Sequence, residues 1–297
     1  MTTFFNRRQL FRSAAAASAL SLAAQTRKKM RLGVITGVSK DPEAAIKHVH
    51  DLGFPTCQLA IQAFDDDTIA KLRDALAKYG IEATSTVATG PPPEVYDFYK
   101  GPLTIGLVPH QYREARITRI KQVSDFAKKA GIPGVQTHCG FLPENPNEPL
   151  YTEAVNAIRT VAAYCKQNGQ TFRCETGQET PITLVRAIKD IGLDNVGVNF
   201  DAANLVLYGK ANPVDAVEVL GPYIMGVHAK DGLYPTNPRQ LGREVPIGEG
   251  KVNFPVLIGL LKKAGYTNPL TIEREIEGAR QTQDILGAKA YLEKLIG

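Results

Sequence analysis

The sequence alternates between short β-prone runs and helix-like stretches, and this alternation limits the possible folds more than any other feature. The helix-like stretches are followed by glycine, as at Gly53, Gly80 and Gly131, and glycine commonly ends a helix. Strands separated by helices favour parallel pairing. The β-prone runs are Arg31–Thr36, Thr56–Ile61, Ile81–Thr86, Gly134–His138, 171–175, 196–201, 223–228 and 269–273.

Eight strand–helix units in about 265 residues match the size and period of a (β/α)8 TIM barrel. We therefore predict a single-domain α/β protein whose barrel covers residues 31–297. A doubly wound sheet is the alternative, but it rarely brings residues from four successive strands to one centre. The Pro-rich segment Gly90–His110 is predicted to be a long loop over that centre.

Residues 1–30 form a separate segment. A twin-arginine sequence, Asn6-Arg7-Arg8-Gln9-Leu10-Phe11-Arg12, precedes an Ala/Ser/Leu stretch from Ser13 to Ala24. That stretch is too short and too rich in alanine to span a bilayer well. The segment resembles a bacterial Tat signal peptide, so we expect export to the periplasm or beyond, without a stable membrane anchor. A frayed amphipathic helix is the alternative interpretation.

The charge of the chain is unevenly distributed. The net charge is +5, but residues 1–30 contain six Lys/Arg and no acidic residue, which leaves 29 basic and 30 acidic residues in the remainder. A near-neutral body gives no support for a nucleic-acid partner. The four cysteines lack CxxC spacing and therefore indicate neither a zinc cluster nor a dense disulfide framework.

Four acidic or basic residues end the last four strand-like runs: Glu175, Asp201, His228 and Glu273. In a parallel barrel, the carboxyl ends of all strands meet at one rim, where the catalytic residues lie. Three carboxylates and one imidazole suit a hard or borderline divalent ion. We therefore predict one bound divalent ion such as Mn²⁺, Mg²⁺ or Co²⁺.

Several motifs around these residues give the chain a resemblance to a known family. They are C-E-T-G-Q-E (174–179), N-F-D-A-A-N (199–204), V-H-A-K-D-G (227–232), V-P-I-G-E-G-K-V-N-F (245–254) and L-T-I-E-R-E-I (270–276). Over roughly residues 31–297 the chain resembles the xylose isomerase-like superfamily of sugar phosphate isomerases and epimerases. In its ketose 3-epimerases the matching Glu, Asp, His and Glu bind Mn²⁺ or a similar ion. The resemblance also implies that Glu175 and Glu273 are the acid/base pair.

The implied activity is a metal-dependent isomerisation or epimerisation of a keto- or aldo-sugar. A metal ion stabilises the enediolate that forms when a proton leaves the carbon beside a carbonyl group. One carboxylate can remove that proton while another returns one. Return on the opposite face inverts the centre, whereas transfer on one face gives isomerisation, and the sequence does not choose between them.

Three further residues are predicted to bind substrate: His138, Asn204 and Lys230. His138 ends the fourth strand, and Lys230 follows His228 by two positions, hence on the same side of a continued strand. Ketose 3-epimerases commonly have D-x-x-H where this chain has Asp201-Ala202-Ala203-Asn204. An Asn side chain can bind a hydroxyl group but carries no proton at neutral pH, which weakens the specific match to those epimerases.

Other functions remain open on sequence grounds. A lyase or hydrolase of an oxidised sugar could use the same metal site, and a non-catalytic sugar-binding protein would not need an acid/base pair. An endonuclease of this superfamily is disfavoured, since five histidines are few for a multi-metal site. The sequence Gly248-Glu249-Gly250 either closes over the site or marks a turn. The sequence is compatible with more than one sugar substrate, and with a monomer as well as a homo-oligomer.

Overall fold

The computed structural model describes residues 30–39 and 41–297, so the proposed signal sequence lies outside the described residues. Ten strands form within this part of the chain. They are β1 (Leu32–Val38), β2 (Thr56–Ile61), β3 (Glu82–Val87), β4 (Gly134–His138), β5 (Thr171–Glu175), β6 (Val196–Asp201), β7 (Ile224–Ala229), β8 (Asp231–Leu233), β9 (Arg243–Val245) and β10 (Leu270–Ile272).

Helices follow most of the strands. They are α1 (Pro42–Asp51), α2 (Asp66–Tyr79), α3 (Gly101–Thr104), α4 (His110–Ala130), α5 (Pro149–Gln167), α6 (Pro181–Ile191), α7 (Ala202–Leu207), α8 (Pro213–Leu220), α9 (Phe254–Lys263) and α10 (Ala279–Ile296), with a 3₁₀ turn at Gly221–Tyr223. Local sequence sets their limits. The Asp65 carboxylate accepts the Thr68 N–H at the start of α2, and Gly131, with φ of 77°, ends α4, as expected for these caps.

Eight of the strands close into a parallel barrel in the order β1-β10-β7-β6-β5-β4-β3-β2. The predicted single-domain TIM barrel is therefore confirmed. The eighth barrel strand is β10, because β8 and β9 pair antiparallel in a separate hairpin. This hairpin and helix α7 were not predicted from the sequence.

The core is a continuous apolar layer between the barrel and its helices. Leu59, Phe172 and Val227 from the strands pack in the same cluster as Leu72 and Ile158 from the helices, and all five are fully buried. The barrel interior is different, because it carries polar side chains such as Gln58, Gln136 and Asn199 instead of the usual branched aliphatic layers. Among the described residues, no helix has the length and apolar character required to cross a membrane.

Candidate metal centre

The four residues predicted to bind metal come together at the carboxyl-terminal rim of the barrel. Glu175 and Asp201 end β5 and β6, His228 is the penultimate residue of β7, and Glu273 directly follows β10. Parallel register places Asp201 beside His228. One ligand atom from each of the four residues lies within 4.8 Å of the others, so the predicted convergence is present.

His228 lies at the middle of the cluster. Its Nδ1 atom is 2.9 Å from Glu175 Oε1, 3.1 Å from Glu273 Oε2 and 3.7 Å from Asp201 Oδ2. His228, Glu175 and Asp201 are buried, whereas the Glu273 side chain keeps 17% of its surface exposed. Glu273 therefore forms the side of the cluster that is open to solvent.

Mutual attraction decides the charges of the cluster. Burial disfavours the charged form of every member, but the carboxylates of Glu175 and Glu273 hold the pKa of His228 well above its ordinary value. At Glu175, burial raises the pKa, but attraction to His228 outweighs it and the pKa is lowered. At Glu273, attraction to Lys230 and His228 outweighs burial and holds the pKa well below its usual range. Both glutamates are thus ionised at neutral pH.

A chain of amides from the other side of the barrel orients His228. Its Nε2 atom is 2.7 Å from Gln58 Oε1, which also accepts from Gln136 Nε2 at 2.8 Å. Ser85 Oγ donates to Gln136 Oε1 at 2.9 Å. Gln136 Nε2 also lies 2.9 Å from His228 Nε2. We take Gln58 Oε1, the nearer atom, as the acceptor of an Nε2 hydrogen, which leaves Nδ1 as the atom turned toward the carboxylates. Sequence reasoning missed Gln58, Gln136 and Ser85, although polar residues inside buried strands were visible.

Asp201 is oriented by the helix that follows it. Its Oδ1 atom accepts the backbone N–H of Asn204 at 2.8 Å and thereby caps α7. Oδ2 then points at the cluster, where Lys230 Nζ lies 3.0 Å away. One carboxylate oxygen of Asp201 is therefore used by the fold, and the other is available to the site.

Lys230, predicted to bind substrate, lies on the same side as His228 and pairs with carboxylates of the cluster. Its side chain is only 1% exposed, and its Nζ atom lies 2.8 Å from Glu273 Oε2 and 3.1 Å from Glu275 Oε1. Although burial opposes the charge, Asp201 and Glu273 raise the pKa of this ammonium group well above its ordinary value. Lys230 does not line the cavity described below; its ammonium group balances the charge of the carboxylates.

The residues present fit a divalent metal ion. His228 Nδ1 and Asp201 Oδ2 are buried, and neither makes a hydrogen bond of good geometry with a described residue. Buried polar atoms normally have such partners. Three carboxylates and one imidazole nitrogen form a donor set suited to Mn²⁺, Mg²⁺, Co²⁺ or Zn²⁺. The cluster is therefore able to hold one ion, and the donors do not select among these metals.

A cavity of about 450 Å³ opens directly beside the cluster. Glu175 and Glu273 form its floor, and His138 and Asn204, both predicted to bind substrate, lie in its wall. His138 Nε2 is 3.8 Å from Glu175 Oε1, and its ring packs edge-on against Tyr96. Tyr96 and Glu94 belong to segment 90–110 and also line the cavity, so this segment does cover the site as predicted, with α3 inside it.

The fold and the site together define a TIM barrel with a candidate metal centre at the carboxyl ends of its strands. The profile of the xylose isomerase-like TIM barrel family matches residues 46–295. The chain belongs to this family.

Two similar proteins are each more than one third identical to this chain. Over 196 residues the chain is 36% identical to an uncharacterised protein of Methanocaldococcus jannaschii, MJ1311, covering 61% of this chain and 64% of that protein, just under two thirds of its length. A crystal structure of a xylose isomerase domain protein from Planctomyces limnophilus is 34% identical, with a TM-score of 0.85, and the match covers 90% of this chain and 97% of the other.

More distant structures share the fold. A xylose isomerase-like TIM barrel protein from Mycobacterium smegmatis in complex with magnesium is 20% identical, with a TM-score of 0.67 over 90% of this chain and 96% of that one. A D-psicose 3-epimerase solved in the presence of D-fructose is 19% identical, with a TM-score of 0.67 over 90% of this chain and 100% of the other. Sugar epimerases are thus among the structural neighbours of this barrel.

Proposed function

We propose that the protein is a divalent-metal-dependent isomerase or epimerase that moves a proton on a keto- or aldo-sugar through an enediolate. The observation that carries this proposal is the pair of ionised glutamates at the cavity floor, both within 3.1 Å of one imidazole nitrogen. The epimerases among the structural neighbours support the class of reaction. The sugar-binding alternative would leave this pair without a purpose, since binding alone needs no acid and base.

The four residues Glu175, Asp201, His228 and Glu273 would hold the metal ion. When bound, the ion supplies positive charge beside a substrate carbonyl group and so makes the neighbouring C–H group more acidic. Proton transfer and orientation of the substrate would be the work of side chains of the protein.

Glu175 and Glu273 would remove and return the proton. They belong to strands three places apart in the ring of eight, so they reach the cavity floor from different walls. Their lowered pKa values keep both in the carboxylate form that a base requires. A sugar lying between them would expose opposite faces of one carbon, which is the arrangement that inversion needs.

His138 and Asn204 would orient the substrate. His138 lies beside Glu175, and Asn204 presents its amide to the cavity from the first turn of α7. A sugar hydroxyl group can donate to the amide oxygen of Asn204 or accept from its nitrogen. We assign neither residue a proton-transfer step.

Incubation of the Mn²⁺-loaded protein with free sugars in D₂O, followed by NMR, tests the proposal. We expect deuterium to enter a C–H bond of the substrate, because the proton held by a glutamate exchanges with solvent. In the Glu175→Gln and Glu273→Gln variants product should disappear, while one variant still exchanges the proton of the starting sugar. Full turnover without deuterium would replace the two-base scheme by a hydride shift or an internal relay, and the absence of both turnover and exchange would contradict the proposal.

We also propose export through the Tat pathway, on the basis of the arginine pair in residues 1–30. The double variant Arg7→Lys with Arg8→Lys should remain in the cytoplasm with its barrel and metal content intact. Fractionation followed by immunoblotting measures this. Delivery of the double variant to the periplasm at normal yield would contradict it.

A further inference from the structure

We infer that the substrate of this site is an uncharged sugar, and that the cavity discriminates against phosphorylated sugars and sugar acids. The inference rests on the proposed function and narrows it. It starts from the cavity wall, in which every side chain with a full charge is acidic: Glu94, Glu175, Glu273 and Glu275. No lysine or arginine of the described residues lines this cavity.

A bound divalent ion does not reverse this balance. The carboxylates of Glu175, Asp201 and Glu273 carry one more negative charge than such an ion carries positive charge. Lys230 neutralises that excess, but Glu275 also contacts its ammonium group, at 3.1 Å. The loaded site therefore keeps a negative charge and has no spare cation for an anionic group.

An arginine that lies behind the cavity wall, Arg116, is also bound to other groups. Arg116 donates from Nη1 to Gly106 O and from Nη2 to Pro93 O, each at 2.7 Å, and its Nε atom lies 3.9 Å from Glu94 Oε1. Its side chain is almost fully buried behind segment 90–110. Arg116 is thus held by two backbone carbonyl oxygens and does not line the cavity.

Backbone amides that could bind a phosphate are occupied as well. TIM barrels frequently bind phosphate with the loops that follow the seventh and eighth barrel strands. In this protein the loop after β7 surrounds the carboxylate of Asp231. Its Oδ2 accepts from Gly248 N and Gly250 N at 3.0 and 3.1 Å, and its Oδ1 accepts from Gly232 N and Val252 N at 2.9 and 3.1 Å.

Glycine at position 250 makes this arrangement possible. A Cβ atom built there would lie 1.9 Å from Asp231 Oδ1, closer than any side chain tolerates. The sequence Gly248-Glu249-Gly250 therefore marks a tight turn around an internal carboxylate. An anion could use these amides only by displacing Asp231, which is itself buried.

The loop after β10 shows the same pattern. Arg274 lies 2.9 Å from Asp284 Oδ2 through Nε and 3.0 Å from Glu244 Oε2 through Nη1. The Glu275 N–H is donated to the Glu244 carboxylate at 3.1 Å. In these two loops, Arg274 and the backbone amides described above are thus already bound to acidic side chains of the protein.

The acidic and aliphatic side chains that line the cavity suit the hydroxyl groups and the C–H surface of a sugar. The carboxyl groups of Glu94 and Glu275 can accept hydrogen bonds from hydroxyl groups, while Ile35, Val87 and Leu207 form apolar wall. A polyhydroxylated molecule without charge matches both kinds of surface, whereas a phosphate or carboxylate group would face the glutamates.

Binding and turnover of matched sugars test the inference. The probes are a ketohexose and its 6-phosphate, and an aldohexose and its uronate, each with the Mn²⁺-loaded protein. Calorimetry measures affinity independently of chemistry, and NMR in D₂O measures exchange. We expect each uncharged sugar to be preferred over its anionic relative by at least about 100-fold. Equal or stronger binding of either anionic sugar would overturn the inference, whether or not any sugar reacts.

The two readouts separate this inference from the proposed function. Selective binding of uncharged sugars without exchange would contradict the isomerase proposal and leave the charge selection standing. Exchange that is faster with a phosphorylated sugar would support the isomerase and contradict the charge selection. Binding of no sugar would count against both.

A set of charge variants identifies the source of the selection. Glu275→Gln and Glu94→Gln should each reduce the preference for uncharged sugars about tenfold, since each removes a negative charge close to the ligand. Glu249→Gln is the matched control, because Glu249 is exposed and does not line the cavity. A preference unchanged in both cavity variants, or reduced equally in the control, would contradict this origin.

Discussion

The two halves of the barrel contribute different chemistry to one site. Every candidate metal ligand lies at or next to the carboxyl end of a strand between β5 and β10, whereas β2, β3 and β4 supply the neutral side chains of Gln58, Ser85 and Gln136. Burial of the acidic side chains shows the same division. Among the described residues, all buried acidic side chains fall between Glu175 and Asp231, whereas buried arginines occur in both halves. The second half therefore supplies the charged candidate ligands, and the amides of the first half orient one of them, His228.

The largest effect is expected from the charged half. His228→Ala removes the only nitrogen donor and leaves three carboxylates facing one another, so we expect affinity for Mn²⁺ to fall by more than about 100-fold. Titration calorimetry and metal analysis measure this. His110→Ala is a suitable control because its side chain is 85% exposed. Normal metal content in the His228 variant would refute the assigned centre.

The next largest effect is a dependence of stability on pH that comes from Glu179, four residues after Glu175. Glu179 is buried, its oxygens lack hydrogen-bond partners among the described residues, and burial raises its pKa to about 8. Between its ordinary pKa of 4.5 and about 8, the folded chain holds a proton that the unfolded chain has released. Raising the pH through this window therefore destabilises the fold by a few kcal/mol.

Glu179→Gln removes this dependence because the amide has the same shape and does not ionise. We expect the variant and the parent to have similar unfolding free energies at about pH 4.5 and the variant to be the more stable at about pH 8. Urea denaturation at the two pH values measures the difference. A parent protein whose stability relative to the variant does not fall with pH would contradict the prediction.

The neutral half should produce a smaller but specific effect. Gln58→Leu removes the acceptor of the His228 Nε2 hydrogen and leaves all four candidate metal ligands unchanged. We therefore expect the affinity for Mn²⁺ to fall about 10- to 100-fold. Gln58→Glu keeps an acceptor oxygen at the same place and should retain most of the affinity. If both variants bind Mn²⁺ like the parent, the amide chain does not position the histidine.

The smallest effect lies outside the site. Gly131 ends α4 in a left-handed conformation, and Gly131→Ala should lower the unfolding free energy by about 1 kcal/mol. Metal affinity should not change, because this turn lies at the opposite end of the barrel from the cluster. Altered Mn²⁺ binding in this variant would show that the site responds to general loss of stability, and would weaken the interpretation of the other variants.

The sequence predicted the charged half far better than the neutral half. Glu175, Asp201, His228 and Glu273 were recognisable because parallel strands end at a common rim, so position along each strand was enough. Gln58 and Gln136 were missed because their role depends on which side chains meet across the interior, a property of ring closure and register. The roles assigned to the site residues in binding and catalysis remain predictions.

Loops were predicted least well. Helix α7 begins directly after Asp201, so a candidate ligand also serves as a helix cap, and a six-residue helix leaves little periodic pattern. The β8–β9 hairpin consists of two three-residue strands, too short for alternation to be visible. Lys230 was placed on the correct side of its strand, but its ion pairs with carboxylates from other loops could not be deduced from strand position.

The hydrogen-bond chain through Ser85, Gln136, Gln58 and His228 also has a consequence for how the protein folds. Its members come from β3, β4, β2 and β7, so a partly assembled chain that contains only the second half has all four ligands but no anchor for the imidazole. We therefore expect tight binding of the ion to require β2 and β4 in the ring. The rate of metal binding during refolding would then report the rate at which the barrel closes.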